Sequence, residues 1–268
     1  MTVLTALSDG AVVAKRNLLK ITRLPDLLVF STVQPIMFVL LFAYVFGSAI
    51  VVPGVDYTEF LMGGIFVQTV VFGATITGAG LADDIKKGII DRFRSLPMAR
   101  SAVLVGRTTS DLLNNLLVVT IMALTGLIVG WRIHTSLWEA LAGFALLLMF
   151  AYAVSWMMAT LGLSVSSVEV VNNASFIVIF PLTFISNAFV PTTNFPTVLK
   201  VFAEWNPVSA VVQAVRELFG NTDPLGLVAP SESWPMQNAV LASSIWIVVI
   251  LVIFVPFAVS RFKKAAVR

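Results

Sequence analysis

The chain has 268 residues, 58% of them hydrophobic and only 12% charged, with a mean hydropathy of +0.96 and a net charge of +3. A water-soluble domain carries about 25% charged residues, so a solvated globule is excluded. The apolar residues gather into runs long enough for membrane helices, which need roughly 20 residues each. The absence of cysteine and the single histidine, His134, exclude disulfides, thiolate nucleophiles and a His-rich metal site.

In chain order, the segment 5–24 comes first. Leu7, Ala11, Ala14, Leu18 and Ile21 recur on one helical face, and Asp9, Arg16, Lys20 and Arg23 share another. This reads as an amphipathic helix in the inner-leaflet interface. The plain alternative is a basic tail that only sets topology. It is not a signal peptide, because its charges lie within it and the following apolar span is too long. Pro25 separates it from that span.

Six spans are predicted, at about 29–48, 58–82, 103–130, 137–163, 173–190 and 237–259. The fifth is the shortest, and a buried or partly re-entrant helix is its alternative. The fold expected is therefore all-α and polytopic, a single transmembrane domain over 1–268. Fourteen of the 17 Lys and Arg lie before the first span (Lys15, Arg16, Lys20, Arg23), between the second and third (Lys86, Lys87, Arg92, Arg94, Arg100, Arg107) or after the last (Arg261, Lys263, Lys264, Arg268). The positive-inside rule places both termini and the loop 83–102 in the cytoplasm. The loop 164–172 has no basic residue and is neutral on this point. Arg132, Lys200 and Arg216 fall on the opposite side.

The segment 191–236 holds Pro191, Pro196, Pro207, Pro224, Pro230 and Pro235, which forbid one continuous helix. Between Pro207 and Gly220 a helix Val208–Phe219 fits, with Val211, Val215, Leu218 and Phe219 as its apolar face. It is expected to pack on, or dip into, the outer membrane surface. No internal repeat is visible, which weighs against an inverted-repeat carrier.

No G-x-x-x-x-G-K-[ST] sequence is present, so any ATP is bound by another chain. Gly73, Thr77, Gly78 and Gly80 lie in an apolar span and suit close helix packing rather than a phosphate loop. Glu59, Asp111 and Glu139 sit near span ends, and Glu169 in a short loop. The middles of the spans carry no ionisable group. That argues against proton or sodium coupling and against an intramembrane hydrolase, so no catalytic residue and no metal ligand is assigned. Gln68, Phe72 and Thr75 share a face of the second span, and Phe176, Phe180 and Phe184 share a face of the fifth, with Asn187 near its end. They are candidates for lining a cavity for an apolar or amphipathic substrate; lipid-facing phenylalanines are the alternative. Gln68 and Asn187 should face protein, since an unpaired amide in hydrocarbon is costly.

The loop Asp83–Met98 mixes both charge signs with Ile89, Ile90, Phe93 and Leu96. A short amphipathic helix ending before Pro97 fits it. Apolar residues ringed by charge suggest a docking surface for a soluble partner; a loop resting on lipid head groups is the alternative.

Two segments carry a family resemblance. One is Asp84, Gly88 and Asp91-Arg92-Phe93-Arg94-Ser95-Leu96-Pro97, then Arg100-Ser101, Gly106-Arg107 and Asp111. The other is Phe184-Ile185-Ser186-Asn187-Ala188-Phe189-Val190-Pro191, then Phe195-Pro196 and Trp205-Asn206-Pro207-Val208. With them the chain resembles the type-2 ABC exporter permeases, especially the bacterial daunorubicin/doxorubicin-resistance-like branch, over nearly its whole length. The resemblance implies a multi-pass permease subunit of a bacterial cell membrane. Its partners would be a second copy or a paralogue and two ATPase subunits, which bind the ATP and Mg. No nucleic acid is expected. It assigns ATPase coupling to Asp84, Gly88, Ile89, Ile90, Asp91, Arg92, Phe93, Arg94 and Leu96. It assigns an outer gate to Asn187, Phe189 and Pro191, and a substrate path between protomers to spans two and five. The function implied is ATP-driven export of hydrophobic or amphipathic, drug-like compounds. Export of a lipid or polysaccharide intermediate, or recruitment of a soluble partner without transport, are the alternatives.

Overall fold

A computed structural model describes residues 25–46, 50, 52–90, 102–165, 167–223 and 231–264. The segment 5–24 lies outside the described residues. The described part is helical: α1 Pro25–Leu40, continued by a π-helical turn Leu41–Phe46; α2 Tyr57–Gly73; α3 Thr75–Lys86; α4 Ala102–Val129; α5 Leu137–Gly162; α6 Val168–Phe184; α7 Thr197–Trp205; α8 Pro207–Phe219; the single turn α9 Trp234–Gln237; and α10 Ala239–Lys264. Among the described residues, four helices are long and apolar enough to cross a membrane: Tyr57–Lys86, Val103–Val129, Leu137–Gly162 and Ala239–Lys263. The first and fifth expected spans appear as shorter apolar helices.

Local chemistry sets several of these boundaries. Asp56 accepts from the Thr58 amide at 2.8 Å to open α2. Ser136 and Glu139 form a reciprocal capping box at the start of α5. Ser167 caps α6 through the Val170 amide. Asn206 accepts from the Val208 amide at 2.9 Å, Pro207 takes the first position of α8, and Gly220 at φ +73° ends it.

Several boundaries differ from the sequence expectation: α1 begins at Pro25, α3 runs to Lys86, α6 begins at Val168 and α10 extends to Lys264, each four or five residues beyond the expected limit, and two further differences bear on the site. The second span is broken at Ala74, where the Thr75 hydroxyl donates to Phe72 O at 2.7 Å and the Thr77 amide bonds Ala74 O, three residues back. The fifth helix stops at Phe184 instead of running to 190. The residues 185–190 are irregular, because their polar groups find side-chain partners on other elements.

The core lies along α2, α5 and α8. Leu61, Met62, Ile65, Phe66, Phe150, Val211, Val215 and Phe219 are all buried in one cluster. The helix expected at 208–219 is thus inside the bundle, packed against α2, α5 and α10. The rings of Phe66, Trp131, Phe144 and Phe219 meet at centroid distances of 4.8 to 6.1 Å. Trp131 Nε1 donates to Asn221 Oδ1 at 2.7 Å and Asn221 Nδ2 to Arg132 O at 2.8 Å. These bonds clamp the α4–α5 connection over the end of α8. A second cluster, including Leu81, Leu104, Trp156 and Phe262, joins α3, α4, α5 and α10 at the opposite end.

Candidate functional site

Spacing brings Gln68 and Phe72 to one face of α2, and Thr75 continues that face past the break. The three line one pocket of about 220 Å³. Its other walls are Gln34 and Phe38 of α1 and Asn114 and Asn115 of α4. Gln68 is buried at 7% exposure and faces protein. Phe176, Phe180 and Phe184 do not enter this pocket. They stand on an exposed face of α6, Phe176 tilted against Phe180 at 5.0 Å and Phe180 stacked on Phe184 at 4.2 Å, because residues four apart on a helix adjoin. From Phe184 the ring contacts continue to Phe189 at 5.3 Å, Phe42 at 4.8 Å and Phe38 at 5.8 Å. Phe38 is on the pocket wall. One row of six aromatic rings therefore links α6 to the pocket, and Phe189 joins the three rings of α6 to Phe42 and Phe38.

Next to the pocket, α3 is pinned to α4. Asp111 accepts from the Thr77 hydroxyl at 2.5 Å and from Arg107 Nε at 3.3 Å, and Arg107 Nη2 donates to Ile76 O at 3.0 Å. Asp111 is 5% exposed, so the pair is desolvated. Gly80 provides the space, since a Cβ there would lie 2.0 Å from the Arg107 guanidinium. The i, i+4 spacing of Arg107 and Asp111 was readable from the sequence; their meeting with Thr77 was not.

Asn187, Phe189 and Pro191 fall in or beside the irregular stretch after α6. Asn187 is 6% exposed and its Oδ1 has no hydrogen-bond partner among the described residues. Asn206 Nδ2 donates to Leu182 O at 2.7 Å and Ile185 O at 2.9 Å. The Asn187 amide donates to Ser209 Oγ at 3.2 Å, Arg216 Nη2 to Ala188 O at 3.0 Å, and Tyr57 OH to Phe189 O at 3.3 Å. Arg216 also donates through Nε to Phe60 O at 2.7 Å, with its guanidinium 3.5 Å from the Phe60 ring centroid. A cavity of about 570 Å³, walled by Asn187, Pro191, Gln213, Arg216 and Glu217, lies beside this stretch. Arg216 was absent from the sequence-derived site. Its signal is that Val212 and Phe219, four before and three after it, make its own face apolar.

Of the expected coupling residues, Asp91, Arg92, Phe93, Arg94 and Leu96 lie outside the described residues. Asp83 to Lys86 belong to α3 rather than to a loop. Asp84 is buried at 6% exposure and Ile90 at 4%, the latter inside the second cluster, so neither stands on an exposed ridge. Tertiary packing of α3 on α5 and α6 explains the difference. Ile89 is half-buried. Gly88, at φ +66° with open space around it, turns the chain out of α3.

Apolar helices around an embedded pocket, with a further helix buried at one end, define a multi-pass helical membrane protein. The chain belongs to the ABC-2 type transporter family, whose profile matches residues 10–219. It is 34% identical over 218 residues to the daunorubicin resistance ABC transporter permease protein DrrB1 of Streptomyces coeruleorubidus, covering 81% of this chain and 77% of the relative. It is 27% identical over 215 residues to the putative transport permease ycf38 of Porphyra purpurea, covering 78% and 73%. It is 25% identical over 191 residues to the probable doxorubicin resistance ABC transporter permease protein DrrC of Mycobacterium tuberculosis, covering 69% and 67%. The chain is a membrane component of an ABC transporter and not its catalytic subunit.

Proposed function

We propose that this chain is the permease of an exporter that moves hydrophobic or amphipathic, drug-like compounds out of the cell. Two ATPase subunits on separate chains supply the energy, and a second permease copy or paralogue completes the pathway. The observation that carries the reading is the aromatic row that runs from α6 through Phe189 to the Gln68–Phe72–Thr75 pocket. Stacked rings suit a planar apolar body, and Gln68, with no hydrogen-bond partner among the described residues, suits its polar edge. Two relatives, one named for daunorubicin resistance and one for probable doxorubicin resistance, support this substrate class.

In the proposed arrangement α1, α2–α3, α4, α5, α6 and α10 are six spans, both termini are cytoplasmic, and Asn187, Phe189 and Pro191 form the outer gate. The chain lacks an ATP-binding motif, so energy enters by protein contact. Asp84 to Leu96 supply that contact: Gly88 directs the chain away from α3, Phe93 and Leu96 form its apolar centre, and Arg92 and Arg94 set its register. Asp84 and Ile90, being buried, anchor the loop to the bundle.

The test is reconstitution with the ATPase subunits in lipid vesicles. ATP hydrolysis is expected to rise with added daunorubicin. Phe72→Ala is expected to raise the half-maximal drug concentration about fivefold, the loss of roughly 1 kcal/mol of aromatic contact. Hydrolysis that ignores the drug but responds to a lipid-linked intermediate would overturn the substrate class.

A further inference from the structure

We infer that Tyr57, Asn206, Ser209 and Arg216 form a clasp that holds residues 185–190 shut, and that releasing it opens the gate. The inference rests on the reading of this stretch as the gate of the exporter.

Where a helix stops inside a membrane, its last carbonyls and the irregular backbone beyond must find partners within the protein. After Phe184 these partners are side chains. Leu182 O and Ile185 O bond Asn206, the Asn187 amide bonds Ser209, Ala188 O bonds Arg216, and Phe189 O bonds Tyr57. Every one of these side chains comes from α2 or from α8 and its cap. Among the described residues, the backbone of the stretch is thus bonded to other elements by side chains, which can let go one at a time, while Ala188 and Phe189 also pack in the apolar core. Close approach is built in as well: a Cβ at Gly64 would lie 2.1 Å from Ala188 O.

Two features separate a clasp from plain structural packing. Arg216 has no carboxylate partner among the described ion pairs and spends its charge on two carbonyls. The 570 Å³ cavity beside it is rich in polar groups, so water can take over the freed carbonyls when the stretch moves. Closed and open states then differ by an exchange of hydrogen bonds rather than by their loss, as a reversible gate requires. Phe189 sits in the aromatic row, so moving this stretch also interrupts the path from α6 to the pocket.

The chain has no cysteine, so one introduced thiol reports on this stretch alone. Ala188→Cys adds one sulfur at a fully buried site; Asn187→Cys, on the cavity wall, replaces a larger side chain and is a second reporter. The complex with its ATPase subunits is placed in vesicles, and a membrane-impermeant maleimide is added to either face. Labelling should be slow in the otherwise unaltered chain. Tyr57→Phe and Ser209→Ala, which each delete one clasp bond without adding bulk, should speed it about tenfold, the worth of one hydrogen bond. Thr108→Val, which removes a buried hydroxyl bonded only within α4, should leave it unchanged. Unchanged labelling in both clasp variants, or an equal rise in Thr108→Val, overturns the clasp. If labelling rises tenfold while export and drug-stimulated hydrolysis keep their unaltered rates, the clasp stands and the gate reading falls. If the clasp variants label slowly but Asn187→Lys stops export, the gate stands and the clasp falls.

Discussion

Asp111 and Arg216 are buried charges kept in two different ways. Asp111 is neutralised by Arg107 and receives the Thr77 hydroxyl, while Arg216 lies over the Phe60 ring and donates to backbone carbonyls. Removing one member of a buried pair leaves the other charged and unsolvated, which typically costs about 3–5 kcal/mol. Asp111→Ala should therefore lower the stability of the detergent-solubilised protein by about 3 kcal/mol. Asp111→Asn should cost less, because a carboxamide oxygen still accepts from Thr77. Denaturation midpoints check this: an unshifted midpoint for Asp111→Ala would refute the paired role, and equal midpoints for the two variants would refute the contribution of Thr77. Sequence alone showed Asp111 near a span end with Arg107 four residues before it. It gave no hint that Thr77, on another helix, completes the group. Arg216 was harder still: counted by charge it belongs with the residues outside the membrane, and only its apolar neighbours on α8 betray its burial.

At the scale of elements, the long apolar helices were legible because composition and length decide them. α4 and α5 begin and end within about two residues of expectation, as boundaries set by capping and apolar runs allow. The break in the second span was not legible. Gly73 stands just before Ala74, but a glycine in an apolar span reads equally as a packing residue, and the bond of the Thr75 hydroxyl to Phe72 O at the interruption has no sequence signature of its own. The end of α6 at Phe184 was hidden for a related reason: Ile185 to Val190 read as apolar continuation, and the side chains that hold them irregular lie elsewhere in the chain. The break leaves α3 packed chiefly on α5 and α6. There Gly78 and Gly162 touch through their backbones, a Cβ at Gly162 lying 2.2 Å from Gly78 O. Helices in a membrane associate through such close approaches. Gly162→Val should force α3 and α5 apart and cost about 1–3 kcal/mol, visible as a lower thermal midpoint. An unshifted midpoint would mean that this contact does not hold α3 in place.

For the whole molecule, exposed aromatic rings and the cations of the charge count collect at opposite ends of the bundle. Tyr44, Trp138, Trp205 and Trp234 are exposed, and all lie near the end where α2, α5 and α10 begin. Lys86, Lys87, Arg261 and Lys263 lie near the other end, where α3 and α10 finish. Amphipathic rings settle at the membrane–water boundary, and Lys and Arg accumulate on the cytoplasmic side. The tryptophan-rich end is thus a membrane boundary with few cations, and the basic end is the cytoplasmic one in the proposed orientation. The same orientation puts the cavity beside Arg216 outside and the turn at Gly88 inside, where an ATPase can reach the residues that follow. A reporter that works only in the cytoplasm should be active when fused after Arg268 or inserted at Ser95, and inactive near Thr193. The two positive sites test different things, because Arg268 follows α10 and Ser95 follows α3. Their agreement requires an even number of crossings between them, as six spans demand. Activity near Thr193 would place the irregular stretch after α6 on the cytoplasmic side, and the outer-gate assignment could not survive it.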